Sequence, residues 1–544
     1  MSLLAGQMMR IPLLISHLIT HAARHSGDTE IVSKRVEGDV HRTTWAEAEL
    51  RSRKLAQALA RLGCQPGDRV GTLAWNGYRH LEIYYATSGS GLVCHTVNPR
   101  LFPQQIAWII NDAEDRVLCF DLNLLPLVEQ LAADCPKVTH FVLMADRDRM
   151  PAETTIPNLL CYEDLVAAEG GDYTWPTFDE NTASSICYTS GTTGDPKGAV
   201  YTHRSTLLHS FASALPDSMN VRATDAVLPV VPMFHVNAWG LPYTMAMVGC
   251  KVVFPGPFLD GKSLYELMEA EQVTFSAGVP TVWLGLLNHV QTNGLKFSSF
   301  KSTVIGGAAC PASMIQTFED DYGVEVVHAW GMTELSPLGT LSRLRSKHLD
   351  LPEADRRALL ARQGKVIYGI DMRIVDGDGK DLPWDGVAFG DLEVRGHWVI
   401  NRYFGQTHDP LHDGWFPTGD VATIDADGFM LITDRSKDVI KSGGEWISSI
   451  ALENLAVAHP AVYQAAVISV AHPQWGERPL LTVVLKPGAT ATREELLAFY
   501  EGKIPRWQIP NDVVFLPELP HTATGKIQKL KLRAAFKDHT WPQS

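Results

Sequence analysis

The stretch Tyr188-Thr-Ser-Gly-Thr-Thr-Gly-Asp-Pro-Lys-Gly198 decides how the rest of the chain is read. It lies between two short runs, Ser185-Ile-Cys-Tyr188 and Ala199-Val-Tyr201, whose β-branched and aromatic content predicts strands. After Thr189 come Ser190, Gly191, Thr192, Thr193 and Gly194. Backbone N–H groups and hydroxyls of such small turn-forming residues can line a concave anion site. Lys197 adds a point charge at the exit. No Gly-Lys-Ser/Thr closes the loop, so it is not a Walker-type P-loop. A polar surface turn is the plain alternative, but six small residues ended by Pro196-Lys197 are far more ordered than such turns usually are.

Around this loop the chain alternates apolar strands with helical stretches. Asp68–Trp75, Gly91–Val97, Arg116–Phe120 and Thr139–Met144 read as strands, and His80–Ser88 and Pro103–Asp112 as helices. Val273–Ala277, Ser302–Ile305 and Val324–His328 continue the rhythm. Alternation of this kind predicts mostly parallel sheets covered by helices. After about residue 365 the texture changes. Asp-Gly pairs at 376–377, 378–379, 385–386, 413–414 and 427–428 separate short strands, the mark of antiparallel hairpins. The last hundred residues return to a compact α+β pattern, with helices over Glu453–His459 and Arg493–Tyr500 and a strand over Ala465–Ser469. The expected fold is α/β: a large N-terminal domain of helix-covered, mostly parallel sheets with a β-rich subdomain, and a small mobile α+β C-terminal domain. The boundaries are 1–436 (β-rich about 365–436) and 437–544.

Composition narrows the class. With 45% hydrophobic and 20% charged residues over 544 positions, the chain has the balance of a globular protein of several domains. Its net charge of −14 argues against nucleic acid as a partner, though a local basic patch can still hold phosphates. The eight cysteines are scattered through apolar runs without a CxxC pair, and are expected to be reduced core residues. No apolar run approaches the roughly 20 residues of a membrane span, so no integral membrane association is expected. The opening Arg10–Ile19 is interrupted by Ser16 and His17 and lacks a cleavage site, which favours an amphipathic first helix over a signal peptide. The final Trp541-Pro-Gln-Ser544 carries neither a peroxisomal nor a lipidation signal, and the expected location is cytoplasmic.

Further motifs follow in order. They are Gly306-Gly-Ala308 after a strand, His328-Ala-Trp-Gly-Met-Thr-Glu334, and Trp415-Phe-Pro-Thr-Gly-Asp420. Downstream come Asp434-Arg-Ser-Lys-Asp-Val-Ile-Lys-Ser-Gly-Gly-Glu-Trp-Ile447 and His521-Thr-Ala-Thr-Gly-Lys-Ile-Gln-Lys529. Together with the loop at 188–198 they resemble the adenylate-forming superfamily, which includes acyl-CoA synthetases, firefly luciferase and peptide-synthetase adenylation domains. The likeness spans about residues 185 to 529 and both expected domains.

The resemblance implies a division of labour. Thr189 to Gly194 and Lys197 would cradle ATP phosphates, and Gly307, Ala308, His328, Ala329, Trp330, Gly331 and Met332 would border adenine, with Trp330 beside the base. Thr333 would meet the α-phosphate, and Glu334, with Thr189, would hold Mg²⁺. A carboxylate attacking an anionic phosphate needs charge neutralised at phosphorus, and a hard cation on one carboxylate and the nucleotide suits that need. Asp420 would accept both ribose hydroxyls, with Arg435 nearby. Lys526 would bridge the acid and the α-phosphate. Lys437 would be the hinge, and Lys441, Gly443, Gly444, Glu445 and Trp446 would face the thiol of coenzyme A after the C-terminal domain turns. His235 would gate an acyl pocket built from Val236, Trp239, Gly306 and Pro337; a core histidine is the alternative. Bulky Trp239 favours short or medium acids, unless it packs elsewhere in the core.

The activity so implied is ATP-dependent acid–CoA ligation through an acyl-adenylate, with ATP, Mg²⁺, coenzyme A and a carboxylic acid as ligands. The nearer likeness is to medium-chain fatty acyl-CoA ligases and 3-methylmercaptopropionyl-CoA ligases. It is carried by Gly6–Arg10, Val231-Pro-Met-Phe-His-Val-Asn-Ala-Trp239 and Lys441–Ser448. The chain alone does not choose between the two acids. An adenylating enzyme with a non-CoA acceptor and a non-catalytic nucleotide-binding protein remain alternatives, and the resemblance allows a homodimer.

Overall fold

The computed structural model describes residues 4, 6–189, 195–435, 438–442, 445–521 and 526–542, without the side chains of Glu445 and Trp446. Two large sheets form the N-terminal part. One has seven strands, of which Arg69–Leu73, Val93–Thr96, Asp115–Asp121, His140–Met144 and Leu160–Cys161 run parallel with Ala183–Thr189. Lys197–Thr202 closes its edge as an antiparallel hairpin partner of Ala183–Thr189. The other has nine strands, parallel from Glu325–Gly331 through Ser302–Ile305, Phe275–Gly278, Ala226–Pro229 and Lys251–Phe254 to Glu30–Lys34, with antiparallel strands at both edges. The strands are near-continuous runs of buried Val, Ile, Leu and Ala because helices cover both faces.

Local chemistry sets several helix starts. Thr44 accepts a hydrogen bond from the Glu47 N–H and caps Trp45–Arg61, and Thr202 with Ser205 forms a capping box at His203–Ala214. Pro103 and Pro280 open Pro103–Asp112 and Pro280–Thr292, where a missing N–H costs nothing. The first helix departs from expectation. It spans Ser16–His25, and the residues before it are not helical until the turn at Ile15. Pro12 restricts Ile11 to extended backbone, and the Leu13 and Ile15 N–H groups donate to Glu180 and to His203 Nδ1.

The Asp-Gly turns do separate antiparallel strands. Ile370–Val375, Phe389–Gly396, Phe416–Ile424 and Met430–Arg435 form one four-stranded sheet. The last part is a five-stranded sheet built on the long pair Val462–His472 and Gly476–Leu485, with helices Ser449–Val457, Arg493–Ala498 and Lys529–Ala535. All eight cysteines are buried and free. Among the described residues no helix is long and apolar enough to cross a membrane.

Candidate active site

The strands Ala183–Thr189 and Lys197–Thr202 pair antiparallel on either side of residues 190–194 in the chain. Ser190, Gly191, Thr192, Thr193 and Gly194 lie outside the described residues. The flanking strand ends are fixed. Thr189 pairs with Lys197, and the Tyr188 hydroxyl donates to Asp112 at 2.6 Å. The Lys197 ammonium stands 5.1 Å above the ring of Tyr403, a cation–π contact. The Tyr403 hydroxyl donates to the Glu334 carboxylate at 2.7 Å, and the Phe404 N–H to the Gly198 carbonyl at 2.8 Å. Tyr403 thus joins Lys197 to Glu334. It was not among the residues singled out from the sequence, because Asn401-Arg-Tyr-Phe-Gly405 resembles an ordinary loop.

Glu334 is 6% exposed, and burial raises its carboxyl above the usual carboxylate range; the Tyr403 hydrogen bond, Arg435 and Lys526 oppose that rise. Its carbonyl accepts from the Ile400 N–H at 2.9 Å. The neighbouring Thr333 carbonyl accepts from the Tyr201 hydroxyl at 2.6 Å. Two tyrosines and one backbone donor therefore hold Thr333–Glu334 in place. Glu334 supplies one buried carboxylate, the kind of hard oxygen ligand that a Mg²⁺ shared with nucleotide oxygens would take.

Nine-tenths buried Trp330 donates from Nε1 to Asp420 Oδ2 at 2.9 Å, and its ring lies against Gly339, where an added Cβ would meet it at 2.5 Å. Asp420 Oδ1 pairs with Arg435 Nε at 2.7 Å across the sheet. His328 works as a brace: Nε2 accepts from the Cys310 N–H and Nδ1 faces the Ala361 carbonyl, with burial lowering its pKa to about 4. Gly331 sits where an added Cβ would lie 2.1 Å from the Pro337 carbonyl oxygen, and Met332 N–H donates to that same oxygen.

Gly306 and Gly307 meet the tryptophan of the expected acyl pocket. A Cβ on Gly306 would lie 2.8 Å from the Ala329 carbonyl oxygen and 3.3 Å from the Trp239 ring. A Cβ on Gly307, whose φ is +78°, would lie 3.2 Å from Val279, 3.7 Å from Trp239 and 3.9 Å from Lys526 Cε. Ala308 is exposed beside them. Lys526, carried by the C-terminal part, therefore reaches the same glycine as Trp239. Burial and Arg435 lower its pKa to about 8, while Asp420 and Glu334 pull it back up. His235 feels Lys526 in turn; burial first, and the lysine second, lower it to about 4. His235 also borders a small cavity with Asn98, Leu101, Tyr188 and Phe234.

The segment between His235 and Gly240 has an unusual backbone. Val236, Asn237, Ala238 and Trp239 take φ of +40°, +51°, +48° and +56°, and Gly240 follows at +76°. Left-handed backbone costs non-glycine residues about 1–2 kcal/mol each, so tertiary contacts must impose this turn.

The C-terminal loop residues are less fully described. Lys441 lies on the hairpin Ile440–Ser442/Glu445–Ile447 and its N–H donates to Glu477 at 3.0 Å. Glu445 and Trp446 are strand residues of the same hairpin, while Lys437, Gly443 and Gly444 fall outside the described residues.

Carboxylate, lysine, glycine pair and buried indole thus gather in one region, joined by a lysine from the C-terminal part. Residues 18–404 match the AMP-binding enzyme family and 451–526 its C-terminal domain, so the chain belongs to that family. It is 57% identical over 534 residues to a 3-methylmercaptopropionyl-CoA ligase of Ruegeria lacuscaerulensis, covering 98% of this chain and 99% of that protein. It is 54% identical over 536 residues to a medium-chain-fatty-acid–CoA ligase of Ectopseudomonas oleovorans, covering 98% of each. The fold is shared with an anthranilate CoA ligase, AuaEII, in complex with anthranoyl-AMP (TM-score 0.86, 23% identity, 97% of this chain and 98% of that one).

Proposed function

We propose that the protein is an ATP-dependent acid–CoA ligase. It would convert a short- or medium-chain fatty acid, or 3-methylmercaptopropionate, to its CoA thioester through an acyl-adenylate, releasing AMP and pyrophosphate. The observation that carries this reading is the meeting of Lys526, Gly307 and Trp239 beside Glu334 and Asp420. A carboxylate is a poor acyl donor because oxide is a poor leaving group. Its oxygen attacks the α-phosphorus, the bond to the β-phosphate oxygen breaks, and pyrophosphate leaves. Negative charge crowds at that junction, and a partly buried ammonium is worth more there than in water. Lys526 is the group that supplies it. Thr333 and Trp330 line the nucleotide side, Asp420 offers its carboxylate to ribose, and Lys197 serves the phosphate end. Mg²⁺, held by Glu334 and Thr189 with nucleotide oxygens, would supply charge neutralisation.

The thiol then attacks the acyl carbon and AMP departs. Lys526 occupies that neighbourhood, so the C-terminal domain, 437–544, must turn about Lys437 to bring in the loop that carries Lys441, Gly443 and Gly444. A few backbone torsions can absorb such a movement. Trp239 against Gly306 and Gly307 supports a short tail, and the names of the two similar ligases support the same acids. A pocket separates tails that differ by one methylene by only about 1–3 kcal/mol, so both are kept.

The test is pyrophosphate release from acids running from acetate to laurate, with 3-methylmercaptopropionate included, with and without CoA. Multiple turnover that requires CoA and peaks at short or medium tails supports the proposal. Release that ignores CoA, or none at all, removes the acceptor or the activity.

A further inference from the structure

Asn237 is 2% exposed and is the one polar side chain of the left-handed turn 236–239. Both ends of its amide are engaged. Nδ2 donates to Ser185 Oγ at 2.9 Å, and Oδ1 accepts from Cys187 Sγ at 3.2 Å. The Tyr84 hydroxyl, which donates to the Met233 carbonyl, lies 3.3 Å from the same oxygen. Ser185 and Cys187 alternate along the strand Ala183–Thr189, so they share the face on which Thr189 also falls. The turn that follows His235 and carries Trp239 is therefore tied to the strand that leads into the phosphate loop.

We propose that Asn237 is a positioning residue for the acid: its buried amide clamps the left-handed turn onto that strand and so fixes the acyl pocket relative to the α-phosphate. The inference rests on the ligase reading above and adds a residue to it. Tolerance of left-handed backbone is not a sufficient reason for this asparagine. Val236, Ala238 and Trp239 have no such tolerance and take the same conformation, so an external tie must hold all four. The approach to the turn is held separately. Asn76 accepts from the Met233 N–H at 2.6 Å and donates to the Pro229 and Val231 carbonyls. Loss of the Asn237 clamp should then free the turn without releasing the segment before it.

Asn237→Gly separates the two explanations, because glycine keeps the backbone freedom and loses the amide. The expected result is a KM for the acid raised about tenfold, the scale of one buried polar group left unpartnered, with KM for ATP within twofold of wild type. The tail-length profile should also broaden. Ser185→Ala, which removes one partner from the strand side, should raise KM for the acid by a smaller factor. The double variant should be no worse than Asn237→Gly alone, since both changes break one tie. Asn237→Gly with wild-type kinetics, additive double-variant effects, or equal rises in both KM values would overturn the proposal. A wild-type protein that releases no pyrophosphate with any acid sinks the ligase reading and this inference together; a working wild type with an unaltered Asn237→Gly sinks the inference alone.

Discussion

Replacing Lys526 by alanine should split the two half-reactions. In the structure the lysine pKa is lowered from its ordinary 10.5 to about 8, by burial and by Arg435, against the pull of Asp420 and Glu334. That depression corresponds to roughly 3 kcal/mol against keeping the ammonium charged in the site, and about 2 kcal/mol once solvent at the half-buried side chain is allowed for. On the ligase reading, two bound anions, the acid and the α-phosphate, would offset that cost. Lys526→Ala should therefore slow acyl-adenylate formation on the order of 10²–10³-fold. Thioester formation from synthetic acyl-AMP and CoA should stay within a few-fold of wild type. The same variant should be more stable than wild type at pH 7, because it drops the cost of the buried charge. The folded lysine releases its proton near pH 8 and the unfolded one near 10.5, so wild-type stability rises with pH across that window and the variant lacks the rise. Pyrophosphate release without CoA reads the first half-reaction, thioester formation from acyl-AMP the second, and denaturant titration at pH 7 and pH 10 the third quantity. Equal loss in both half-reactions would refute the placement of Lys526 in adenylation alone.

Tyr403→Phe keeps the ring under Lys197 and removes the hydroxyl from Glu334; initial rates should show KM for ATP raised on the order of 10- to 100-fold, the scale of one lost hydrogen bond to a charged group, with KM for the acid unchanged. Trp239→Ala opens space beside Gly306 and Gly307, and the acid panel should move its optimum toward longer tails; an unchanged profile would remove Trp239 from the pocket. Lys437→Pro should impair thioester formation more than adenylation, and an unchanged ratio of the two rates would count against the hinge.

Much of the fold was legible because parallel strands buried on both faces leave unbroken apolar runs: Ser302–Ile305 is seen where it was expected, and the Asp-Gly turns separate antiparallel strands. The first helix is present but starts only at Ser16, after Pro12 and with the Leu13 and Ile15 N–H groups held by two side-chain acceptors. In the site, Trp330, Asp420 and Arg435, drawn from three separate motifs, lie in direct contact. What the sequence did not reveal were the residues behind them. Tyr403, Tyr201 and Asn237 act on groups separated from them by tens of residues or more, through single hydrogen bonds that leave no local pattern. The left-handed turn at 236–239 was equally hidden, since no glycine precedes Gly240 in it.

The central claim is that this site joins a carboxylate to AMP before any thiol acts. It is tested most directly with an acid labelled with oxygen-18 in its carboxylate, turned over with ATP and CoA, and the products examined by mass spectrometry. Attack of the carboxylate on the α-phosphorus predicts one labelled oxygen in AMP and none in pyrophosphate. Label in pyrophosphate or in free phosphate, or AMP without label, would contradict the acyl-adenylate.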